Sequence, residues 1–332
     1  MTDHKALFAN TGIQVPRLGL GCMGMSGVYG AGADEESTRT IHRALEVGCT
    51  FLDTADVYGA GHNEQLVGKA LRGKRDLAFL ATKFGLSGIS NSAGEITVDG
   101  SPAYVQAACE KSLKRLGVES IDLYYLHRLD PRTPIEETVE AMAKLVQQGK
   151  VRFIGLSEIS STTLKKAHKI HPITAVQSEY SLWWTEPEQS ILPTCRELGV
   201  AFVPYAPLGR GMLTGKLTST EQLGENDWRR VSPRFQGATF DKNKALVDAV
   251  SVIAKAKGAT VGQVALAWLL SEGRDIFPIP GTKRVSYLEE NWNALDLTLS
   301  ELERNELRSI LRTHLPEGER YPEKALKLID RR

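Results

Sequence analysis

Four polar side chains that follow apolar runs of strand length could together protonate a carbonyl oxygen. They are Asp53 in FLDTAD, Tyr58 in DVYG, Lys83 in LAFLATKF and His127 in IDLYYLH. The carboxyl ends of parallel strands share one edge of a sheet, where the ligands of α/β proteins bind. The sequence therefore predicts a proton-donating site at that edge.

Each of these residue types has a part in such chemistry. A phenol with its usual pKa of about 10 is a weak acid at neutral pH, unless a cation such as Lys83 stabilises its phenolate. Asp53 would keep the lysine charged, and His127 would hydrogen-bond the substrate oxygen or relay a proton. Any one of the four has a simpler explanation, as a cap, a core aromatic, a snorkelling lysine or a buried histidine, whereas their joint placement favours a site.

Apolar runs of strand length alternate with segments of helical period along most of the chain. The runs, which suit strands buried on both faces, lie at 18–20, 50–52, 77–82, 121–126, 151–156, 174–177, 200–204 and 276–279. The helical segments lie at 36–47, 63–71, 102–116, 134–148, 160–170, 188–198 and 242–257. Eight βα units in a row predict a single α/β domain over residues 1–332, a closed (β/α)8 TIM barrel rather than an open sheet.

Two segments exceed a minimal barrel. FANTGIQV before Pro16 predicts an N-terminal β-hairpin that would plug the bottom of the barrel, and 300–311 predicts an additional C-terminal helix with a serine cap. Long loops at 85–100 and 207–241 follow the third and seventh strands on the ligand-facing side. Loops of that length inside a compact domain are usually functional.

Composition argues against several classes of protein. Of the 332 residues, 42% are apolar and 24% are charged, which suits a soluble globular protein and not a disordered one. Lys plus Arg (41) nearly balance Asp plus Glu (40), so no overall field favours nucleic acid or a membrane surface. No apolar run has signal-peptide or membrane-spanning length, and the four cysteines lack the spacing of a zinc site or a disulfide framework. We expect a cytoplasmic protein with reduced thiols and no metal.

The sequence GLGCMG at 19–24 spells the GxGxxG of a Rossmann dinucleotide site. In that fold a helix begins within the glycines, so that its N-terminus meets the pyrophosphate. Here SGVYGAGAD follows, and the helical period begins only near Glu36. The competing interpretation is a flexible first βα loop whose glycines let the backbone approach a ligand closely.

The blocks FLDTADVYGAGHNEQLVGKAL, LATKF and YYLHR resemble those of the aldo-keto reductase family, and the resemblance covers nearly the whole chain. AVQSEYSLW, PYAPLGRGMLTGK and IPGTK are most similar to the branch that includes perakine reductase, with features of the potassium-channel β subunits. The resemblance implies that Tyr58 is the general acid, that Lys83 lowers its pKa, that Asp53 anchors Lys83 and that His127 orients the carbonyl. Members of the family bind NADP(H) without a Rossmann fold and pass the pro-R hydride directly to a carbonyl carbon.

The same resemblance assigns the cofactor contacts. Ser157 and Gln177 would bind the nicotinamide carboxamide and Tyr205 would stack on its ring, whereas Glu158, at a position that is usually Asn, is a weaker candidate. The other contacts are Gly21, Cys22, Met23 and Asp53 near the nicotinamide, Pro207, Leu208, Gly209, Arg210, Gly211 and Lys216 over the pyrophosphate, and Gly281, Thr282, Lys283, Tyr287, Glu290 and Asn291 at the adenosine. Lys283 would pair with the 2′-phosphate and so favour NADPH over NADH. Arg229, Arg230 and Arg234 are either surface charges or a phosphate-clamping lid.

Substrate contacts are expected from loops over the mouth of the barrel, and their side chains suggest an apolar or aromatic aldehyde or ketone. The candidates are Met25, Tyr29, Tyr58, Phe84, Leu86, His127, Arg128, Trp183 and Trp184, of which the tryptophans fit the core equally well. The predicted function is NADPH-dependent reduction of a small carbonyl compound to an alcohol. An NADPH-binding, redox-sensing regulatory subunit with slow turnover is the alternative. A metal-dependent barrel hydrolase is disfavoured, because of seven histidines only His127 stands at a strand end.

Overall fold

Seven parallel strands form the wall of the protein. The computed structural model describes residues 4–27, 33–89, 96–225 and 227–330. Its strands are β1 (Lys5–Leu7), β2 (Gln14–Pro16), β3 (Leu20–Gly21), β4 (Phe51–Asp53), β5 (Phe79–Phe84), β6 (Leu86–Ile89), β7 (Ile96–Val98), β8 (Ile121–Leu126), β9 (Val151–Ser157), β10 (Ala175–Glu179) and β11 (Ala201–Tyr205). The wall runs β3, β4, β5, β8, β9, β10, β11, with every neighbouring pair parallel.

Residues 276–281 close this wall into a barrel by joining its first and last strands. A parallel bridge connects the segment to β11 on one side, and Gly21 and Gly281 form another bridge on the β3 side. The predicted eighth strand is therefore present only as isolated bridges. Pro278 and Pro280 have no N–H with which to extend a regular ladder. The predicted barrel architecture is confirmed.

The N-terminal hairpin plugs the end of the barrel where the strands begin. β1 and β2 pair in antiparallel fashion. Phe8, which follows β1, is fully buried, and its ring lies 5.8, 5.1 and 4.8 Å from the rings of Phe51, Phe79 and Phe277. Because Phe51 and Phe79 begin β4 and β5, this aromatic cluster closes the end opposite to the predicted site. The predicted hairpin is confirmed.

Helices surround the barrel on its outside, and the last short one lies at the carboxyl edge. They are α1 (Asp34–Val47), α2 (His62–Ala70), α3 (Pro102–Leu116), α4 (Ile135–Gln147), α5 (Ser161–Ile170), α6 (Ile191–Leu198), α7 (Gly237–Ala256), α8 (Val261–Ser271), α9 (Val285–Trp292), α10 (Glu301–Thr313) and α11 (Glu323–Leu326). Ser101 caps α3, and Ser300 with Glu303 forms a capping box at α10, the predicted additional helix. Within the described ranges, no helix combines the length and the apolar character needed to span a membrane.

Both long loops at the carboxyl edge have structure of their own. The loop after β5 contains the antiparallel pair β6 and β7. The described part of the loop after β11 contains short 3-10 turns between residues 209 and 235. After α10 the chain returns to the same edge, where the N–H of Asp330 donates to the carbonyl of Glu158 at 3.2 Å. We refer to residues 320–330 as the C-terminal segment.

Candidate active site

A cavity of about 1890 Å³ opens at the carboxyl edge of the barrel. The predicted site residues that line it are Gly21, Met23, Asp53, Tyr58, Leu86, His127, Arg128, Ser157, Gln177, Tyr205, Pro207, Leu208, Arg210, Gly211, Lys216, Arg229, Gly281, Thr282, Lys283, Tyr287, Glu290 and Asn291. Lys83 is fully buried behind this surface. The strand ends therefore bring most of the predicted residues to one continuous wall.

Lys83 lies between the Tyr58 phenol and the Asp53 carboxylate. Its Nζ is 3.5 Å from the Tyr58 hydroxyl oxygen and donates to Asp53 Oδ1 and, at 2.9 Å, to the Thr54 carbonyl. Gln177 Nε2 donates to the second oxygen, Asp53 Oδ2, at 2.8 Å. The ammonium group thus has fixed acceptors on one side and faces the phenol on the other.

Burial and charge act in opposite directions on these three groups. Burial raises the pKa of Tyr58, and the Lys83 ammonium opposes that rise. Burial also raises the pKa of Asp53, against the effect of Lys83 and Gln177. Burial lowers the pKa of Lys83, but Asp53 and Tyr58 outweigh it, so that the net direction is upward. Tyr58 is therefore a protonated phenol beside a cation at neutral pH, which is the state that a general acid needs.

The His127 ring packs edge-on against Tyr58, with 5.8 Å between the ring centroids. Burial, and after it the charges of Arg128 and Lys83, holds the pKa of His127 well below its ordinary value of 6.5. Its Nδ1 is buried and has no hydrogen-bond partner among the residues that the structure describes. The imidazole is therefore neutral and can offer one N–H to a ligand oxygen.

Arg128 brings a second cation to the wall of the cavity. Its Nη1 donates to the His127 carbonyl at 2.7 Å and is 3.3 Å from Ser157 Oγ. The positive charge opposes the effect of burial on the pKa of Tyr58 and adds to the effect of burial on the pKa of His127. It therefore supports a neutral imidazole and a more acidic phenol at the same time.

The turn that presents Tyr58 is held by an asparagine in the segment that follows. Residues 59–61 all have left-handed φ values, between 53° and 93°. Asn63 donates to the Cys22 carbonyl at 2.9 Å and to the Ser26 hydroxyl at 2.8 Å. These bonds fasten the turn to the first βα loop. Asn63 therefore has a structural role, which is to fix the direction of the phenol.

Cations and an aromatic ring line the wall near Gly281. Lys216 Nζ is 2.7 Å from Glu290 Oε2 and 4.1 Å from the centre of the Tyr287 ring, and the Arg284 guanidinium lies 5.5 Å from the same centre. Lys283 lines the cavity beside them. Several cations on one stretch of wall form a donor set that suits phosphate oxygens.

Three residues predicted for the substrate pocket lie in the core instead. Phe84 follows Lys83 in β5 and is fully buried. Side chains alternate across a strand, so a lysine that faces the site turns the next residue outward. Met25 is fully buried and Trp183 is 1% exposed, and neither lines the cavity. Tyr29 lies outside the described residues.

Two residues predicted to contact the cofactor are also covered by protein. Cys22 is fully buried, burial raises the pKa of its thiol to about 12, and its Sγ lies 3.7 Å from the Leu20 carbonyl. Gly209 has a left-handed φ of 56°, and a Cβ there would lie 2.4 Å from the ring of Trp183. Gly209 is therefore required by packing against the tryptophan.

The arginines of the loop after β11 are engaged with protein carboxylates. Arg210, predicted to cover the pyrophosphate, donates through its two Nη atoms to Glu179 at 3.0 and 2.8 Å. Arg234 is 1% exposed and lies 3.4 Å from the same carboxylate. Arg229 pairs with Asp227 at 2.7 Å. Arg234 is thus a core residue, and for it both interpretations, a surface charge and part of a phosphate-clamping lid, are wrong.

The C-terminal segment completes the mouth of the barrel with residues that the sequence analysis missed. The Tyr321 hydroxyl is 2.8 Å from that of Tyr205. Arg320 donates two hydrogen bonds to Glu158, both of 3.0 Å. Glu158, considered above as a weak nicotinamide contact, is instead occupied by these neighbours. The sequence signal for these contacts was weak, because it consisted of a charged and aromatic stretch after α10, which is a helix that a minimal barrel lacks.

A family model described as the aldo/keto reductase family matches residues 17–312. The chain belongs to the aldo/keto reductase family. It is 49% identical to probable aldo-keto reductase 1 of Glycine max over 298 residues. The matched residues cover 89% of this chain and 85% of that protein. It is 45% identical over 313 residues to an aldo-keto reductase of Schizosaccharomyces pombe, yakc, and the name of that protein specifies NADP(+). The matched residues cover 93% of this chain and 92% of that one. The solved structure of glycerol dehydrogenase AKR11B4 from Gluconobacter oxydans superposes with a TM-score of 0.86 at 31% identity, covering 96% and 98% of the two chains.

Proposed function

We propose that this aldo/keto reductase reduces a small aldehyde or ketone to an alcohol with NADPH, and that Tyr58 is its general acid. The observation that supports this most directly is the Tyr58 hydroxyl 3.5 Å from Lys83 Nζ, with the His127 ring packed against the same phenol. A relative that is 45% identical is named for NADP(+). The cavity has room for a dinucleotide beside a small substrate.

The chain's own residues do the proton half of the reaction. His127 donates a hydrogen bond to the carbonyl oxygen, and the Tyr58 hydroxyl delivers its proton to the same oxygen as negative charge develops there. Lys83 stabilises the phenolate that remains, while Asp53 and the Thr54 carbonyl hold the ammonium in position. When bound, the reduced nicotinamide supplies the hydride to the carbonyl carbon.

The donor set on the wall fits such a cofactor. Ser157 and Gln177 offer polar groups for a carboxamide, and Tyr205 offers a ring for stacking, all on the cavity wall. Lys216, Lys283 and Arg284 supply positive charge for phosphates near Gly281. Gly21 and Gly281, which form a bridge, leave the backbone there without side chains that would fill the groove.

The test of the acid role is Tyr58→Phe, with Tyr104→Phe as matched control because Tyr104 lines the same cavity away from Lys83. With 4-nitrobenzaldehyde as substrate, Tyr58→Phe should slow NADPH oxidation by roughly 10²- to 10⁴-fold, the usual contribution of a positioned acid. NADPH affinity, measured by fluorescence, should stay close to that of the parent. Equal loss of turnover and affinity would refute the assignment.

Lys283 is proposed to bind the 2′-phosphate and so to set the preference for NADPH. Lys283→Ala should weaken NADPH by about ten- to a hundredfold, the equivalent of one charged hydrogen bond, and leave NADH unchanged. Arg284→Ala, which changes the neighbouring cation, is the comparison. If the Lys283 variant loses affinity for both cofactors by the same factor, the lysine does not read the phosphate.

A further inference from the structure

Glu158 adopts a backbone conformation that its neighbours must maintain. It directly follows β9 and has a left-handed φ of 53°. That region is unfavourable for a residue with a Cβ, so the conformation persists only where surrounding contacts enforce it. Glu158 is 4% exposed, its N–H donates to the Gln177 carbonyl at 3.0 Å, and its carboxylate makes further contacts.

The Glu158 carboxylate has four hydrogen-bond donors. Oε1 accepts from the Tyr205 hydroxyl at 2.8 Å and from the Glu179 N–H at 2.9 Å. Arg320 donates to both oxygens at 3.0 Å, and the Tyr321 hydroxyl reaches Tyr205 at 2.8 Å. Burial raises the pKa of Glu158, but the charge and hydrogen bonds of Arg320, the Arg128 charge and the Glu179 N–H together lower it to about 2. The acid is therefore an ionised acceptor throughout the physiological range.

These contacts connect two parts of the cavity wall. Tyr205 is the last residue of β11 and lines the cavity. Tyr321 of the C-terminal segment lines the same cavity. The far end of that segment is fixed as well, since the Asp330 carboxylate accepts from the Ser160 N–H at 3.1 Å and from its hydroxyl at 2.9 Å. One carboxylate thus holds the ring on the barrel and, through Arg320, the segment above it.

We propose that Glu158 is a positioning residue that fixes the Tyr205 ring and, with the same carboxylate, fastens the C-terminal segment over the cofactor site. This inference rests on the proposed function, because its consequence is a cofactor affinity. The hydrogen bonds to the Tyr205 hydroxyl fix the position of the far end of the ring and so keep the side chain from swinging away from the barrel mouth. Glu158 touches neither substrate nor cofactor in this role and acts through Tyr205 and Arg320.

The test is a double-mutant cycle on NADPH affinity. Tyr205→Phe keeps the ring and removes its hydroxyl, and Glu158→Gln keeps the shape and removes the charge. Each should raise the Kd for NADPH about tenfold, the equivalent of one lost hydrogen bond. The double variant should lose less than the sum of the two single variants, because one substitution removes the donor of the Tyr205 to Glu158 bond and the other removes the charge of its acceptor.

A second readout separates the two duties of the carboxylate. Glu158→Gln weakens the hold on Arg320, so trypsin should cut the C-terminal segment at Lys324 or Lys327 several times faster than in the parent. Tyr205→Phe removes the contact with Tyr321 but leaves the Glu158 to Arg320 bonds in place, so cleavage should rise less than in Glu158→Gln.

The chain contains a matched control away from the site. Tyr180 donates to Glu188 at 2.7 Å, and Arg308 pairs with the same carboxylate at 2.8 Å. This group has the same three side-chain types, and none of them lines the cavity. Glu188→Gln and Tyr180→Phe should lower the melting temperature without changing the Kd for NADPH.

Three results would overturn the inference while leaving the proposed function intact. They are an unchanged Kd in Tyr205→Phe, strictly additive losses in the double variant, or the same rise in Kd from Glu188→Gln as from Glu158→Gln. If Glu158→Gln does not fold, Tyr205→Phe and Arg320→Met test the bonds of this carboxylate from their other ends. A parent protein that fails to bind NADPH would instead refute the proposed function.

Discussion

Replacing Lys83 by Met should cost both acidity at Tyr58 and stability of the fold, by amounts that follow from the geometry. The ammonium is 3.5 Å from the phenol oxygen. At an effective dielectric constant of about 20, a unit charge at that distance stabilises the phenolate by roughly 4 to 5 kcal/mol. That energy corresponds to about three pKa units, so the pKa of Tyr58 should rise by up to that amount.

The assay is carbonyl reduction as a function of pH. Reduction needs the protonated phenol, so the decline in kcat/KM at high pH should move upward in Lys83→Met and leave the accessible range. The plateau of kcat/KM should fall by roughly tenfold to a thousandfold. A general acid that is about three pKa units weaker slows proton transfer by a factor that depends on the Brønsted coefficient, which lies between zero and one. Binding of NADPH should change little, because Lys83 lies behind the wall of the cavity.

The stability effect has a separate cause and a separate control. Without Lys83, the carboxylate of Asp53, which is 3% exposed, loses its charge partner. Breaking a buried pair from one side costs about 3 to 5 kcal/mol in free energy of unfolding. Asp53→Asn/Lys83→Met removes both charges and should regain most of that stability, but not the turnover. A double variant that regains turnover, or a single variant with the parent pH profile, would refute the role of Lys83 in acidity.

Three further predictions concern stability. Burial, and after it the charge of Glu64, raises the pKa of Asp56 from 3.8 to about 7. Ionisation of this carboxyl therefore opposes folding as the pH rises between those two values. The free energy of unfolding of Asp56→Asn, measured with urea, should exceed that of the parent by roughly 2 to 4 kcal/mol at pH 8 and should hardly differ at pH 4. The depressed pKa of His127 means that only the unfolded chain takes up its proton below about pH 6.5, so stability should fall with acid less steeply in His127→Gln. Phe8→Ala should cost about 3 to 5 kcal/mol without a change in turnover, whereas Leu7→Ala, at a side chain that is 59% exposed, should cost under about 0.5.

Of the four proposed catalytic residues, Asp53, Lys83 and His127 could be predicted because each joins a chemical type to a strand end, whereas Tyr58 lies in the turn that follows β4. A strand end fixes a side chain near the carboxyl edge, whatever the loops beyond it do. Phe84 shows the limit of that reasoning. Both faces of a barrel strand are apolar, so composition does not separate inward from outward positions, although alternation from Lys83 would have done so.

Other elements lacked a periodic signal. Helix α8, with the sequence VGQVALAWLLS, is buried on nearly every side, so it has no amphipathic period and the sequence analysis gave no helix there. Arg320 and Tyr321 reach the site only because the chain after α10 returns to the barrel mouth. Such a return is set by tertiary contacts with Glu158 and Tyr205, which lie more than a hundred residues earlier in the chain.

The closure of the barrel has a consequence for how its wall comes apart. The N–H groups of Gly19 and Gly21 donate to the carbonyls of Pro278 and Pro280 at 2.9 and 3.2 Å. The two prolines return no N–H, so these bonds across the seam run in one direction. Fewer bonds have to break here for the wall to open locally, and amide hydrogen exchange at Gly19 and Gly21 should report that opening. A dinucleotide that lies across Gly21 and Gly281 would hold the two sides of the seam together. The protein with bound cofactor would then unfold more cooperatively than the protein without it.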